Sequence, residues 1–375
     1  MTEPDENDFP ILSELDFFNH AGVAPISGPA ARALEAYAEQ AAGRAYVDAG
    51  WYRRIAQVKE LAAELIGAAG KKEIAFIPNT SSGLALVAGG VDWRRGDDVV
   101  ITSVEYPANR YPWMDLQRHG VRVIEVDPLP DGRVDPEDVC EAITDRTRVV
   151  SLSHVQYASG HRIDLRPIAD TVHHAGGWLC VDGIQSVGVL PVNVAADGVD
   201  FLAADGHKWM LGPEGCGFFY CREDLVRELH PAVVGWMNMV DAHDYGDYRF
   251  EFQNDARRFE PGSYNVPGIL ALGASLELLL DTGIETIWSK VEALNEQLAA
   301  GLAERGYHVF SPRERPEERS GIVVFEPRSG VETGQVLEAA RRQRVVIVRR
   351  EGRLRASPHF YNRPEQIDHL LESLP

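Results

Sequence analysis

The stretch AADGHKWMLGPEG, residues 203–215, sets a lone lysine, Lys208, between His207 and Trp209 with glycines on both sides, just after the apolar run VDFLA. An unpaired ammonium is costly to bury, so a lysine at the end of a buried strand needs a chemical reason. Runs of the same kind recur upstream and just downstream: IAFI from Ile74, DVVITSV from Asp98, RVIEV from Arg122, RVVSLSHV from Arg148, GWLCVDG from Gly177, DFLAADG from Asp200 and CGFFYC from Cys216. Helix-period patterns occur at 29–42, 52–66, 109–119, 136–143 and 166–175, mostly between these runs. Strands that are apolar throughout suit a mostly parallel sheet covered on both faces. The fold class expected is therefore α/β, with a large domain over residues 21–266. After GSYNVPG the pattern changes. Helical patterns at 269–280 and 285–305 lead to two apolar runs, GIVVFE and RVVIVR, that bracket a helix, with a last helix near the terminus. This reads as a smaller α+β domain, residues 267–375, to which residues 1–20 are joined. The charged, proline-containing loop SPRERPEERS is a solvated connection.

The bulk numbers limit the function classes. Against 37 basic residues stand 57 acidic ones, a formal net charge of -20. That sign repels a phosphate backbone and argues against a nucleic-acid partner. The start, MTEPDENDFP, lacks the basic-then-apolar pattern of a secretory signal, and stretches such as ALGASLELLL are too short to cross a bilayer. Four cysteines form no CxxC pair and are too few for a disulfide framework. A cytoplasmic protein without a membrane partner is expected. No GxGxxG after a strand, GxxxxGK[ST], GxSxG or HExxH appears, which leaves dinucleotide, P-loop, serine-hydrolase and zinc-protease readings without support. His173 and His174 are adjacent on a helix, face different directions and make no metal site.

In open α/β sheets the chemistry gathers at the carboxyl ends of the strands. Behind successive strands come Thr80, Ser81 and Ser82; Glu105 and Tyr106; His154, Gln156 and Tyr157; Asp182 and Gln185; and Asp205, His207 and Lys208. Desolvation favours the neutral form of a lysine, and a neutral amine can form a Schiff base with an aldehyde. Pyridoxal 5'-phosphate is the cofactor whose needs match these residues: a lysine for its aldehyde and a carboxylate facing its ring nitrogen. Asp182, 26 residues before Lys208, suits the carboxylate role. Hydroxyls and free N–H groups where NTSSG opens a helix suit the phosphate, and Tyr106 offers an aromatic face to the ring.

The ordered set VDGIQS then DGHK, with FFNHAGVAPIS at the front and LRASPHFYN at the back, resembles the class V aminotransferase family over nearly the whole chain. These are fold-type I pyridoxal-phosphate enzymes that include cysteine desulfurases and isopenicillin N epimerase-like proteins. The resemblance implies an aspartate-aminotransferase-like fold and a homodimer with shared active sites. By it, Lys208 carries the Schiff base and moves the substrate α-proton, Asp182 pairs with the pyridinium nitrogen, and Gln185 contacts the phenolic oxygen. Tyr106 stacks on the ring where desulfurases have histidine. Thr80, Ser81 and His207 hold the phosphate, Ser263 reaches it from the other subunit, and His154 and Asp205 stand among the cofactor contacts. Arg355 grips the substrate carboxylate, a task suited to its planar fork. His20 and Trp236 are candidates for the substrate pocket.

The chain also departs from the family. Desulfurases usually have serine at Asp205; a second carboxylate beside a phosphate is repulsive, so Asp205 is expected to turn away or meet a cation. Many relatives have asparagine where Tyr157 stands. Desulfurases accept sulfur on a mobile-loop cysteine shortly before the carboxylate arginine, and RVVIVRREGRLRAS contains none. Taken singly, each residue also has an ordinary reading: Lys208 in a solvated loop, Asp182 or Ser263 in a turn, His154 and His207 as interior histidines, Tyr106 as packing, Arg355 in a surface ion pair, NTSSG as a helix cap. Taken together they lead to an enzyme acting on an α-amino acid or related amine, an aminotransferase first. The alternatives are a C–S or C–Se lyase or a desulfurase using an external thiol, a non-catalytic binding protein on the same fold, and a cofactor-free Schiff-base aldolase.

Overall fold

The computed structural model describes residues 6–246 and 248–375. After a short strand β1 (Asp16–Phe17), helices α1 (Gly28–Arg44) and α2 (Trp51–Leu65) precede the main sheet. Its elements are β2 (Ile74–Ile77), α3 (Thr80–Gly90), β3 (Asp98–Thr102), α4 (Tyr111–Asp115), β4 (Arg122–Val126), α5 (Pro136–Glu141), β5 (Thr147–Ser153), α6 (Arg166–His174), β6 (Trp178–Asp182), β7 (Phe201–Asp205) and β8 (Gly217–Cys221). The seven strands lie in the order β2-β8-β7-β6-β5-β3-β4. β3 to β7 are parallel, and β8 is antiparallel to both β7 and β2, so β2 runs with the parallel set. The carboxyl ends of all strands but β8 therefore share one edge.

The apolar runs are explained by burial on both faces. Phe201 and Ala203 of β7 enter one buried cluster with Val99, Ile101, Cys180 and Phe219, while Leu202 and Ala204 enter another with Val100, Val150, Leu179 and Phe218. Alternate side chains of a strand point to opposite faces, and here both faces are covered. The helical pattern at 109–119 resolves into a 3-10 turn Pro107–Asn109, the five-residue α4 and a second 3-10 turn, Leu116–His119. Pro107 and Pro112 each open a new segment, because proline is favoured at a helix start and constrains the residue before it.

Beyond the sheet lie α7 (Val266–Thr282), α8 (Ile284–Glu304), β9 (His308–Val309), β10 (Val323–Glu326), α9 (Thr333–Arg342), β11 (Val345–Val346), β12 (Val348–Arg350), β13 (Arg353–Ala356) and α10 (Pro364–Ser373). A four-stranded sheet has the order β12-β13-β10-β9, and β11 pairs in parallel with β1. The run RVVIVR thus serves two sheets, with Ile347 buried between its halves. α7 packs on α1 and α2, and its Ile269, Leu272 and Leu276 join the core of the large sheet. A second core gathers Phe18, Leu294, Leu298, Phe325, Leu354 and Ile367. α8 is shared between the two, with Val291 in the first core and Leu294 in the second.

Candidate active site

β6 and β7 are neighbours, and at their carboxyl ends stand Asp182 and, three residues past β7, Lys208. Asp182 is buried, with Oδ1 accepting from Ile184 N at 3.0 Å. Burial pushes its proton affinity up, the Glu105 charge adds to that, and Lys208 opposes it. For Lys208, burial favours the neutral amine against the pull of Asp182. The peptide around Lys208 is fixed from several sides. Ala24 N donates to His207 O (2.8 Å), Leu211 N to Lys208 O (3.0 Å) and His359 Nε2 to Trp209 O (2.9 Å). Gly188, at φ +100°, lies so close that a Cβ there would meet Trp209 O at 2.6 Å.

Behind Asp182 is a second buried carboxylate. Glu105 accepts from Thr102 Oγ1 (2.8 Å), Asn109 Nδ2 (3.0 Å), Gln156 Nε2 (3.0 Å) and both the N–H and hydroxyl of Ser153, the residue that pairs with Asp182 across β5 and β6. Five donors thus satisfy the two oxygens of a carboxylate that is buried. The sequence named Glu105 only as one polar residue behind a strand. Its partners come from β3, from the turn after it and from β5 and the loop beyond, and no local pattern announces such a cage.

Tyr106 is half exposed, and Lys208 Nζ lies 5.8 Å from its ring centroid. Tyr157 meets that ring edge-on, with centroids 5.2 Å apart at 81°. The Tyr157 hydroxyl donates to Glu351 Oε1 at 3.0 Å, and its carbonyl accepts from Arg355 Nη1 at 3.0 Å. Arg355 is 1% exposed, and its Nε and Nη2 have no hydrogen-bond partner among the described residues. Burial and the nearby Arg350 both disfavour its charge.

A third corner is built on α3. The Asn79 side chain caps the helix by accepting from Ser82 N at 2.9 Å, and Thr80 Oγ1 accepts from Asp205 N at 3.0 Å. Gly83 lets the helix lie directly on β7, for a Cβ there would meet Ala203 Cβ at 2.6 Å. Asp205 is turned toward Gly206 N (2.7 Å) and lies 2.8 Å from His207 Nδ1. Ser81 is exposed and shares a cavity of 530 Å³ with Tyr106 and Tyr111. His154 is buried with Nδ1 unpaired, and burial lowers its ring to about 3, so it is neutral.

Not every candidate faces this cleft. His20 is fully buried, with Nδ1 donating to Ser357 O at 2.8 Å and Nε2 accepting from Tyr361 OH at 2.6 Å, so both ring nitrogens are engaged within the fold. Gln185 donates to Ala21 O and accepts from Trp209 Nε1, each at 3.0 Å, which leaves one N–H of its amide. Ser263 is exposed in the segment before α7. Trp236 belongs to an exposed aromatic group with His243 and Tyr245. Cys180, Cys216 and Cys221 are buried and Cys140 half-buried; burial pushes the first three thiols up.

Buried polar atoms normally find partners, yet among the described residues Arg355 Nε and Nη2, His154 Nδ1 and Gln156 Oε1 do not. An amine, a carboxylate, helix-start hydroxyls and an aromatic face match the aldehyde, ring nitrogen, phosphate and ring of pyridoxal 5'-phosphate, so the residues present fit that group. The likenesses agree. The chain is 31% identical to a probable cysteine desulfurase of Methanothermobacter thermautotrophicus, across 100% of this chain and 97% of that one. It is 29% identical to an uncharacterized aminotransferase of Bacillus subtilis, across 98% and 95%. A variant of C-DES with glycine covalently linked to its pyridoxal-phosphate cofactor superposes with a TM-score of 0.90 at 25% identity, covering 98% of each chain; C-DES has also been solved as a cystine C–S lyase with its product cysteine persulfide. No single helix among the described residues is long and apolar enough to cross a membrane. The family model described as Aminotransferase class-V matches residues 18–370, and with the sheet edge that presents Lys208 and Asp182 side by side this makes the chain a member of the class V aminotransferase family of pyridoxal-phosphate-dependent enzymes.

Proposed function

We propose that this enzyme transfers the amino group of an α-amino acid or related amine, working as a homodimer. When bound, pyridoxal phosphate supplies an electron sink that eases breaking of the substrate Cα–H bond. Lys208 anchors the cofactor and, because burial favours its neutral amine, takes and returns the proton at Nζ. Asp182 holds a proton at the ring nitrogen. Thr80, Ser81 and His207, with the free N–H groups of α3, take the phosphate charge, and Ser263 of a second copy of this chain completes that corner. Asp205 orients His207, while His154 and the remaining N–H of Gln185 serve the ring. Tyr106 covers the ring face, and Arg355 offers Nε and Nη2 to the substrate carboxylate.

One observation carries the choice against a persulfide-forming desulfurase. β12 and β13 are joined by a two-residue turn, Glu351 and Gly352, with Arg350 paired to Arg353. The segment before Arg355 thus has neither a thiol nor the length to swing, and three of the four cysteines are buried in the fold. A second reading, a C–S lyase, is favoured by the likeness to C-DES. Product analysis separates the two. Incubation with an amino-acid panel and an acceptor keto acid should yield new keto acids, whereas sulfide release from cysteine or cystine without amino transfer supports the lyase. Turnover retained in Lys208→Ala would sink both.

A further inference from the structure

We propose that Glu351 and Tyr157 form a latch between the two domains that positions Tyr106 and Arg355 in the site. The inference rests on the reading of the site given above. Tyr157 lies in the loop after β5, and Glu351 at the tip of the β12–β13 hairpin, 194 residues away in the chain. Their 3.0 Å hydrogen bond crosses from the large sheet to the small one. From Tyr157 two contacts reach the site, its carbonyl taking Arg355 Nη1 and its ring meeting the Tyr106 ring at 81°, and the Tyr106 ring in turn faces Lys208 Nζ. Tyr106 is half exposed, so its perpendicular packing on Tyr157 is a constraint on its tilt. Tyr157 in turn is held at both ends, by Glu351 at the hydroxyl and by Arg355 at the carbonyl. Burial and Glu351 push the phenol up to about 12, so it stays a donor at neutral pH. Glu351 also has φ +47°, a left-handed conformation disfavoured for most side chains. Asparagine or glycine would suit the turn better; a glutamate there supplies reach. Tyr157 and Glu351 are thus positioning residues for Tyr106 and Arg355.

Three variants test this on the holoenzyme. Tyr157→Phe removes the hydroxyl and keeps the ring. Glu351→Asn keeps a residue at home in the left-handed turn but is too short for the bond. Glu351→Gln keeps an acceptor oxygen. The measurements are the rate of pyridoxal-phosphate release after dilution, the circular dichroism of the bound cofactor, and hydrogen exchange at residues 350–352. Tyr157→Phe and Glu351→Asn should each speed release roughly three- to tenfold, the span of one partly exposed charged hydrogen bond, and alter the dichroism. Tyr157→Phe should also quicken exchange, and Glu351→Gln should stay near wild type. The double variant should be no worse than either single one, because both break the same bond. Additive effects, or a Glu351→Asn enzyme indistinguishable from wild type, overturn the latch. Lys208→Ala serves as the control: if borohydride still fixes the cofactor to that variant as it does to wild type, the site reading itself fails, whereas loss of that covalent link with unchanged latch variants rejects the latch alone.

Discussion

Replacing Arg355 with methionine should make the enzyme more stable and nearly blind to carboxylates. The guanidinium is 1% exposed, has Arg350 nearby, and forms no ion pair among the described residues. Burying a charge without a counter-ion is unfavourable, and exchanging buried charged groups for apolar ones of similar volume can stabilise a fold by about 1–4 kcal/mol. The lost Nη1 bond to Tyr157 O returns about 1 kcal/mol of that. The net expectation is a rise in Tm of a few degrees, measured by scanning calorimetry at saturating pyridoxal phosphate in carboxylate-free buffer. Recognition moves the other way. Removing one partner of a desolvated charge pair costs about 2–5 kcal/mol, or roughly 30- to several-thousand-fold in kcat/KM at tenfold per 1.36 kcal/mol. Spectral titration of the bound cofactor with amino acids reads this directly. A variant that melts earlier and binds amino acids as tightly as wild type would show Arg355 to be a structural residue, and the assignment would be wrong.

Other expectations follow from buried groups. Lys59 and Glu260 form an ion pair that is nearly inaccessible, with Tyr264 OH and Phe76 N also donating to Glu260; Lys59→Ala strands that carboxylate and should cost about 3–5 kcal/mol in urea unfolding. Gly83→Ala drives a methyl against Ala203 and should cost about 1–3 kcal/mol, with weakened cofactor binding measured by equilibrium dialysis because the start of α3 must move. Burial holds His154 at about 3 and His161 and His359 at about 4, with His20 also lowered. The unfolded chain binds these protons below its ordinary value of 6.5 while the native one does not, so this stability is fully present above pH 6.5 and is lost as pH falls toward 4. Each histidine contributes up to about 1.4 kcal/mol per pH unit, partly opposed by Asp182, Asp197 and Asp200, whose carboxyls burial raises. Denaturant midpoints at pH 7 and 5 check the sign, and His161→Gln should flatten the slope. Iodoacetamide applied to the native enzyme should leave turnover intact, since Cys180, Cys216 and Cys221 are buried; inactivation reversed by a Cys140→Ser background would implicate that thiol.

Much of the sheet was legible because two-sided burial leaves an unmistakable trace: VDFLA and DVVITSV have no polar face to show. The Lys208 and Asp182 positions were legible for a related reason, since charged groups ending such runs stand out. The Glu105 cage was not, because its donors are ordinary serine, threonine, asparagine and glutamine residues brought together by strand pairing. Nor was the fate of His20, which looked like pocket chemistry in FNHAGVAP but lies against Ser357 and Tyr361 from the far end of the chain. The proline breaks in 109–119 were readable and were outweighed by helical period. The split of RVVIVR between two sheets depends on β1, which a dipeptide strand cannot advertise.

The clamp on the Lys208 peptide has a consequence for assembly. One tie comes from Ala24, near the start of the chain, and another from His359, near its end. The two ties are far apart in the chain, one ahead of the large sheet and one beyond β13. The turn that carries Lys208 is thus fixed only when both distant segments are docked on it. Capture of the cofactor should therefore come late in assembly, and a proteolytic clip after residue 356, which takes away the His359 tie together with Phe360, Tyr361 and Ile367 of the two cores, should cost both cofactor and stability.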